Sequence, residues 1–245
     1  MFTQVYGHYP NYKQTQTAVK DANVQVQLIK NDHSAGKSYQ YKFDRGNTYT
    51  PAQSVNVLPG RIYRLNITFR GNNKIISAQT KVPKAFRIIK TLEDTVKYEQ
   101  VQPIRFLATM ETGNDNAKYF FNVRSQDKTD MTSFYEHQIV TDANKNTGWY
   151  YNVRSSIINE SNFSKVGGDI ELRLPWDTIA FYGKNLVIAN IIDNNLYDFL
   201  RSIGGSGREL SSMYTNETIY HINGGIGIFG SMARDSAIVN IIPEL

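Results

Sequence analysis

The sequence predicts a mostly β protein. The expected architecture is an N-terminal immunoglobulin- or fibronectin-like sandwich, followed by a larger antiparallel β domain carrying one short helix. Three observations carry this. Apolar residues alternate with polar ones at a period of two in several segments. Turn signals recur at about ten-residue spacing, the rhythm of a sandwich. Aromatics make up 12% of the chain, with 16 Tyr and 12 Phe, and Tyr favours pleated, half-wet surfaces.

In chain order, residues 22–29 (ANVQVQLI) place Val24, Val26 and Leu28 on one strand face. NDHSAGK is a hairpin connection and SYQYKF its partner strand; RGNTYTPA is expected to be a loop. Pro59-Gly60 signals a turn before the alternating Tyr63, Leu65, Ile67 and Phe69. Gly71-Asn72-Asn73 turns the chain, because these residues tolerate positive φ, and Ile75 to Val82 returns as the paired strand. Val82-Pro83 closes the unit, so residues 1–85 form the sandwich and 86–245 a β-rich sandwich or barrel-like domain.

In that second part, VQPIRFLATM, YFFNVRS, FYEHQIVTD and WYYNVRSSI read as strands. GGDIELRLPWD carries Ile170, Leu172 and Leu174 in alternation, and LVIANII is a continuous apolar strand buried on both faces. DNNLYDFLRSIGG reads as the helix. Asp193 or Asn194 caps it, Leu196, Phe199, Leu200 and Ile203 form its stripe, and Gly204-Gly205 end it. Strands are expected at ETIYHI and AIVNII on either side of a glycine-rich tail.

The length of 245 residues and 40% hydrophobic content allow a sizeable core. No apolar run reaches the roughly 18 residues of a membrane-spanning helix. The start, MFTQVYGHYP, lacks the charged and apolar regions of a signal peptide. The formal charge of +5 is spread over single lysines and arginines, without the basic stripe that nucleic-acid binding requires. Absence of cysteine excludes disulfides, thiolate nucleophiles and cysteine metal sites.

The tail GGIGIFG fits the letters of a dinucleotide fingerprint, but no helix follows it, no acidic residue stands about twenty positions on, and no P-loop lysine is present. Gly224, Gly225, Gly227 and Gly230 are therefore read as structural, permitting bends and close strand approach while Ile226, Ile228 and Phe229 fill a core. His8, His33, His137 and His221 have no metal-ligand spacing, so no metal site is expected. Asp169 and Glu171 share one strand face, where opposed glycosidase carboxylates come from separate elements. Asp193-Asn194-Asn195 lacks the spacing of a calcium loop. No G-x-S-x-G elbow occurs. No catalytic residue or cofactor follows from these patterns. The ligand-binding candidates are Trp149, Tyr150 and Trp176, aromatic rings beside loops that suit a sugar or a peptide.

Four stretches in fixed order carry a resemblance that covers nearly the whole chain. They are the A-N-V-Q-V strand; the P-G-x-x-Y-x-L hairpin (Pro59, Gly60, Tyr63, Leu65) running to I-S-A-Q-T-K-V-P; Y-F-F-N-V; and the closing I-N-G-G-I-G-I-F-G. Together they resemble a cell-envelope lipoprotein family of the Bacteroidota, domain of unknown function family 4249. The resemblance implies a lipid-anchored precursor at the outer membrane or cell surface, and genes beside those of TonB-dependent receptors. The signal segment and lipid-bearing Cys of that pattern do not appear at the start of this sequence. The family records no catalytic residues. The implied function is a non-enzymatic accessory protein working with a TonB-dependent outer-membrane receptor in nutrient binding or uptake, with a glycan or peptide as ligand. The alternatives are a structural or adhesive surface protein and, behind it, a glycan hydrolase.

Overall fold

The computed structural model describes residues 19–44, 48–98, 103–109, 116–127, 130–141, 149–202 and 218–244. It is mostly β and antiparallel, as expected. The chain forms two compact units, with the first division at Pro83. The first unit holds described residues 19–83 and also 193–202 and 218–231; the second holds 84–192 and 232–244.

In the first unit, β1 (Ala22–Ile29), β2 (Ala35–Asp44), β3 (Thr48–Pro51), β4 (Ile62–Phe69) and β5 (Asn72–Lys81) join one sheet. The short strand β15 (Ile222–Asn223, numbered in chain order) adds to its edge, giving the order β15-β5-β4-β1-β2-β3. The stretch RGNTYTPA, expected as a loop, thus supplies β3, whose Tyr49 hydroxyl accepts from Ala22 N at 3.0 Å.

Registry explains the core. Ile222, Ala78, Leu65, Val26 and Tyr39 lie opposite one another across five strands, so one face collects Val24, Val26, Tyr39, Tyr63, Leu65, Ile67 and Ala78 into a buried cluster. Burying each such aliphatic is worth about 1.5–3 kcal/mol. The next residues along each strand face the other way and form a polar row: Asn223, Ser77, Asn66, Gln25 and Gln40.

Helix α2 (Asn194–Ser202) follows Asp193, whose Oδ1 accepts from Leu196 N at 2.9 Å, so Asp193 is the cap. Leu196, Phe199 and Leu200 are half-buried. Ile203 and the closing Gly204-Gly205 lie outside the described residues.

The second unit is a two-sheet sandwich. One sheet runs β10 (Asn152–Arg154), β9 (Lys118–Ser125), β14 (Gly183–Ile192), β16 (Met232–Ile242), β7 (Thr95–Lys97), with β11 (Ile158–Asn159) also on β9. The other runs β12 (Ser164–Val166), β13 (Asp169–Leu174), β8 (Ile104–Thr109), β6 (Ile88–Thr91). Ile104, Phe106, Ile170, Leu172 and Leu174 of one sheet meet Phe121, Val187, Ala189, Val239 and Ile241 of the other in a common core. In β14, Val187, Ala189 and Ile191 are fully inside, while Leu186 and Ile188 on the other face are half-buried.

Several segments depart from the sequence reading. FYEHQIVTD forms helix α1 (Ser133–Thr141) in place of a strand. Its strand-favouring Phe, Tyr, Ile and Val are overridden by a tertiary anchor at the start: the Thr132 carbonyl accepts from Glu136 N at 3.0 Å, and Thr132 bonds Ile179 O and Ala180 O through its hydroxyl and amide. Tyr135 is buried there, its hydroxyl donating to Asp177 O at 2.6 Å. WYYNVRSSI opens with a 3-10 turn at Trp149–Tyr151, leaving only Asn152–Arg154 as strand. Strand β16 begins five residues before AIVNII.

The glycine tail departs furthest. It was expected inside the second domain, and it lies in the first unit. Ile226 is 64% exposed and Ile228 38%, so neither fills a core; only Phe229 packs on the first cluster. The reason is the edge position: β15 ends at Asn223 and, among the described residues, no strand pairs beyond it.

Candidate functional site

The polar face of the first sheet carries a cleft of about 450 Å³. Its lining comes from three stretches of chain: Arg64 of β4 with Ser77 and Gln79 of β5, Asn195 of α2, and Tyr220, His221 and Asn223 at and before β15. Alternation puts Arg64, Ser77 and Gln79 here, because their neighbours Tyr63, Leu65 and Ala78 point into the core.

Arg64 and Gln79 are directly opposite in the β4–β5 register. With its amide oxygen turned toward the guanidinium, Gln79 accepts from Arg64 Nη2 at 2.8 Å and from Nε at 3.0 Å. Asn195 reaches down from the first turn of α2 and donates to the Gln79 carbonyl and, at 2.9 Å, to Phe229 O. The wall opposite is held by a carboxylate: His221 Nε2 lies 2.9 Å from Asp198 Oδ2, and Arg201 Nη2 3.9 Å from Asp198 Oδ1. Tyr220 stands beside Phe199, ring centres 6.1 Å apart, and remains half open to solvent.

Among the described residues the lining thus offers a guanidinium, amides, a hydroxyl, an imidazole and a phenol ring, and no carboxylate. Amides and hydroxyls both donate and accept, which suits a polar ligand rich in hydroxyl or amide groups. Among the described residues, no three His, Asp or Glu converge to hold a metal ion.

The aromatic candidates are elsewhere. Trp176 is half-buried and packs edge-on against Tyr98, ring centres 5.5 Å apart, beside the core of the second unit. Tyr150 leans on Tyr151 at 4.5 Å and Phe181 at 6.0 Å; the Trp149 side chain lies outside those described. Tyr151 stacks on Phe181 at 5.6 Å and 5°. Gly224 and Gly230 have the close approach expected of structural glycines. A Cβ on Gly224 would stand 2.3 Å from Ile75 O, and one on Gly230 3.0 Å from Leu196 Cβ. A Cβ on Gly225 would press the Ile76 side chain at 3.1 Å, while one on Gly227, at φ +142°, would meet Ile222 Cδ1 at an ordinary contact distance of 3.6 Å.

Sequence reasoning did not single out Arg64, Ser77, Gln79 or Tyr220. The signal was the polar half of the β4 and β5 alternation, Arg64-x-Asn66 and Ser77-x-Gln79, which a search for core residues passes over.

The model of one family, described as Domain of unknown function (DUF4249), matches residues 3–238. The chain belongs to that family. The match runs from the first segment to β16, so both units are family features. No curated protein matches the chain.

Proposed function

We propose that the chain is a non-enzymatic binding protein of the bacterial cell envelope. It works beside a TonB-dependent outer-membrane receptor and holds a polar ligand, a glycan, in the first-unit cleft. The observation that carries the binding reading is the lining itself. Arg64, Gln79 and Asn195 are locked to one another, and Asp198 holds His221, so hydrogen-bonding groups are held in place before a ligand arrives. Among the described residues the lining holds a guanidinium and amides without the pair of opposed acids that glycoside hydrolysis needs, which supports binding. Membrane anchoring and the receptor partner rest on the family resemblance.

Recovery of the chain from native envelope membranes under mild detergent, with bound proteins identified, tests the receptor. An outer-membrane receptor is expected, and its absence sinks that part of the reading. Calorimetric titration with envelope and host oligosaccharides, and with short peptides in parallel, tests the cleft. Glycan binding lost in Arg64→Ala supports it; peptide binding alone replaces glycan by peptide.

A further inference from the structure

The outer face of the larger sheet in the second unit carries an unusual charge distribution. The residues of β7, β9, β10, β14 and β16 that point away from the core follow from the registers, because Val96, Tyr119, Phe121, Val123, Val187, Ala189, Ile191, Val239 and Ile241 all point into it. The outward positions hold six cations: Lys97, Lys118, Arg124, Arg154, Lys184 and Arg234. They hold no Asp or Glu. These six are a large share of the chain's 27 Lys and Arg, set against its net charge of +5.

The opposite sheet of the same unit is built differently. Its outward residues mix signs, and Arg173 pairs with Glu171 at 3.0 Å and Arg105 with Glu93 at 3.2 Å.

Within the basic face the centre is apolar. Ile238 of β16 lies opposite Leu186 of β14, next to Ile188. Ile238 is 53% exposed, and Met232 at the end of the same strand 45%. Arg124 follows Leu186 in the same row, with Arg154 one row on, its guanidinium 5.8 Å from the Phe120 ring. Lys184 and Lys97 close one end and Arg234 and Lys118 the other, where Phe120, Asn190 and Ile192 are buried. Asp94 and Asp127 lie in loops at the border, Asp127 accepting from Lys184 N at 2.6 Å.

We infer that this face docks an acidic protein, one presenting an apolar spot ringed by carboxylates. An apolar centre with a polar rim is the layout of a protein interface, and the rim charges would steer encounter with a partner of opposite sign. Five strands at about 4.8 Å spacing and about 3.3 Å per residue make a face of roughly 20 by 25 Å; with the end at Phe120, Asn190 and Ile192 already covered, the open part is about half of one side of a standard interface of about 800 Å². An anionic membrane fits less well. Membrane-interface surfaces gather Trp and Tyr, and none of the chain's 16 Tyr is among these outward positions. Leu186 and Ile188 are also half-buried among longer cations. A polyanionic glycan or nucleic acid would leave the apolar centre unused.

The inference is independent of the cleft and is tested separately. In the cells that naturally make the full chain, a zero-length carbodiimide couples lysine amines to carboxylates in direct contact. Coupling from Lys97, Lys118 or Lys184 to Asp or Glu of one identified protein is expected, and it should fade as salt rises. Purified with that protein, the triple variant Arg124→Glu, Lys184→Glu, Arg234→Glu should associate on the order of 10- to 1000-fold more slowly. A triple reversal of Lys20, Lys30 and Lys90 should associate as the wild type does. Equal melting temperatures establish that both triples fold; if the first does not, the neutral Gln triple at the same positions takes its place. Vesicles of equal parts phosphatidylglycerol and phosphatidylcholine, and heparin, are titrated as rival anions. Vesicle or heparin binding that the first triple abolishes, without carboxylate coupling in cells, overturns the inference. So does coupling that persists unchanged in that triple.

Discussion

Thr80 and Asp193 stand 113 positions apart in the chain and share a hydrogen bond, the Thr80 hydroxyl donating to Asp193 Oδ2. Asp193 also caps α2 through Leu196 N, and the Ser231 hydroxyl lies 2.7 Å from that of Thr80. One largely buried carboxylate therefore fastens helix, sheet and tail in the first unit. Asp193→Ala should cost about 2–3 kcal/mol, a lost cap plus hydroxyl and amide groups left unpaired. Asp193→Asn, which keeps a cap, should cost less. Denaturant unfolding of both variants checks the order.

The tail glycines should differ among themselves. Gly224 has φ +76°, and a Cβ there would press on Ile75 O, a backbone atom that cannot swing aside. Gly224→Ala is expected to cost on the order of 3 kcal/mol. Gly227→Val meets only backbone strain at φ +142°, since its nearest neighbour is Ile222 Cδ1 at 3.6 Å, and should cost about 1–3 kcal/mol. Melting temperatures that rank Gly227→Val above Gly224→Ala in damage would contradict the geometry.

Tyr119 supplies a pH dependence. Burial pushes its phenol well above the ordinary tyrosine range, and the nearby Glu160 charge adds to the rise. A raised folded-state value means the neutral phenol is favoured in the fold. The stability from this group is fully present below the ordinary tyrosine pKa of about 10 and is lost as pH climbs from there toward the folded value. The chain should unfold in alkali above that range. Tyr119→Phe should move the alkaline midpoint upward while changing stability at neutral pH by about 1 kcal/mol or less. An unmoved midpoint would assign the alkaline transition to other groups.

Trp176 and Tyr220 separate packing from binding. Trp176 rests on Tyr98 beside the core, so Trp176→Ala should lower stability by about 2–3 kcal/mol and leave cleft binding intact. Tyr220→Ala, at the cleft wall, should do the reverse. Melting and glycan titration on the same two variants give the comparison.

Much of the fold was legible because alternation is a local signal. Val24, Val26, Leu65, Ile67, Ile170 and Leu172 all fall inside as the period of two requires. Helix α1 was not, because Phe134, Tyr135, Ile139 and Val140 favour strands and the bonds that anchor its start, from Thr132 to Ile179 and Ala180, span more than forty positions. Ile226 and Ile228 were misplaced for a related reason: apolar character suggests burial, but an edge position leaves them uncovered. The cleft was hidden because Arg64 and Gln79 share it with Asn195 and Tyr220, more than a hundred positions later. Nothing local marks such a meeting.

The interleaving of the two units constrains how the chain is born. Residues 193–202 and 218–231 complete a unit whose first strand begins at Ala22. A chain leaving the ribosome can pair β1 to β5 early, but Thr80 has no Asp193 until position 193 is made, and β5 does not meet β15 until position 223 is made. The β5 edge and the half-built cleft are therefore exposed for most of synthesis, the condition in which strands pair wrongly and nascent-chain chaperones bind.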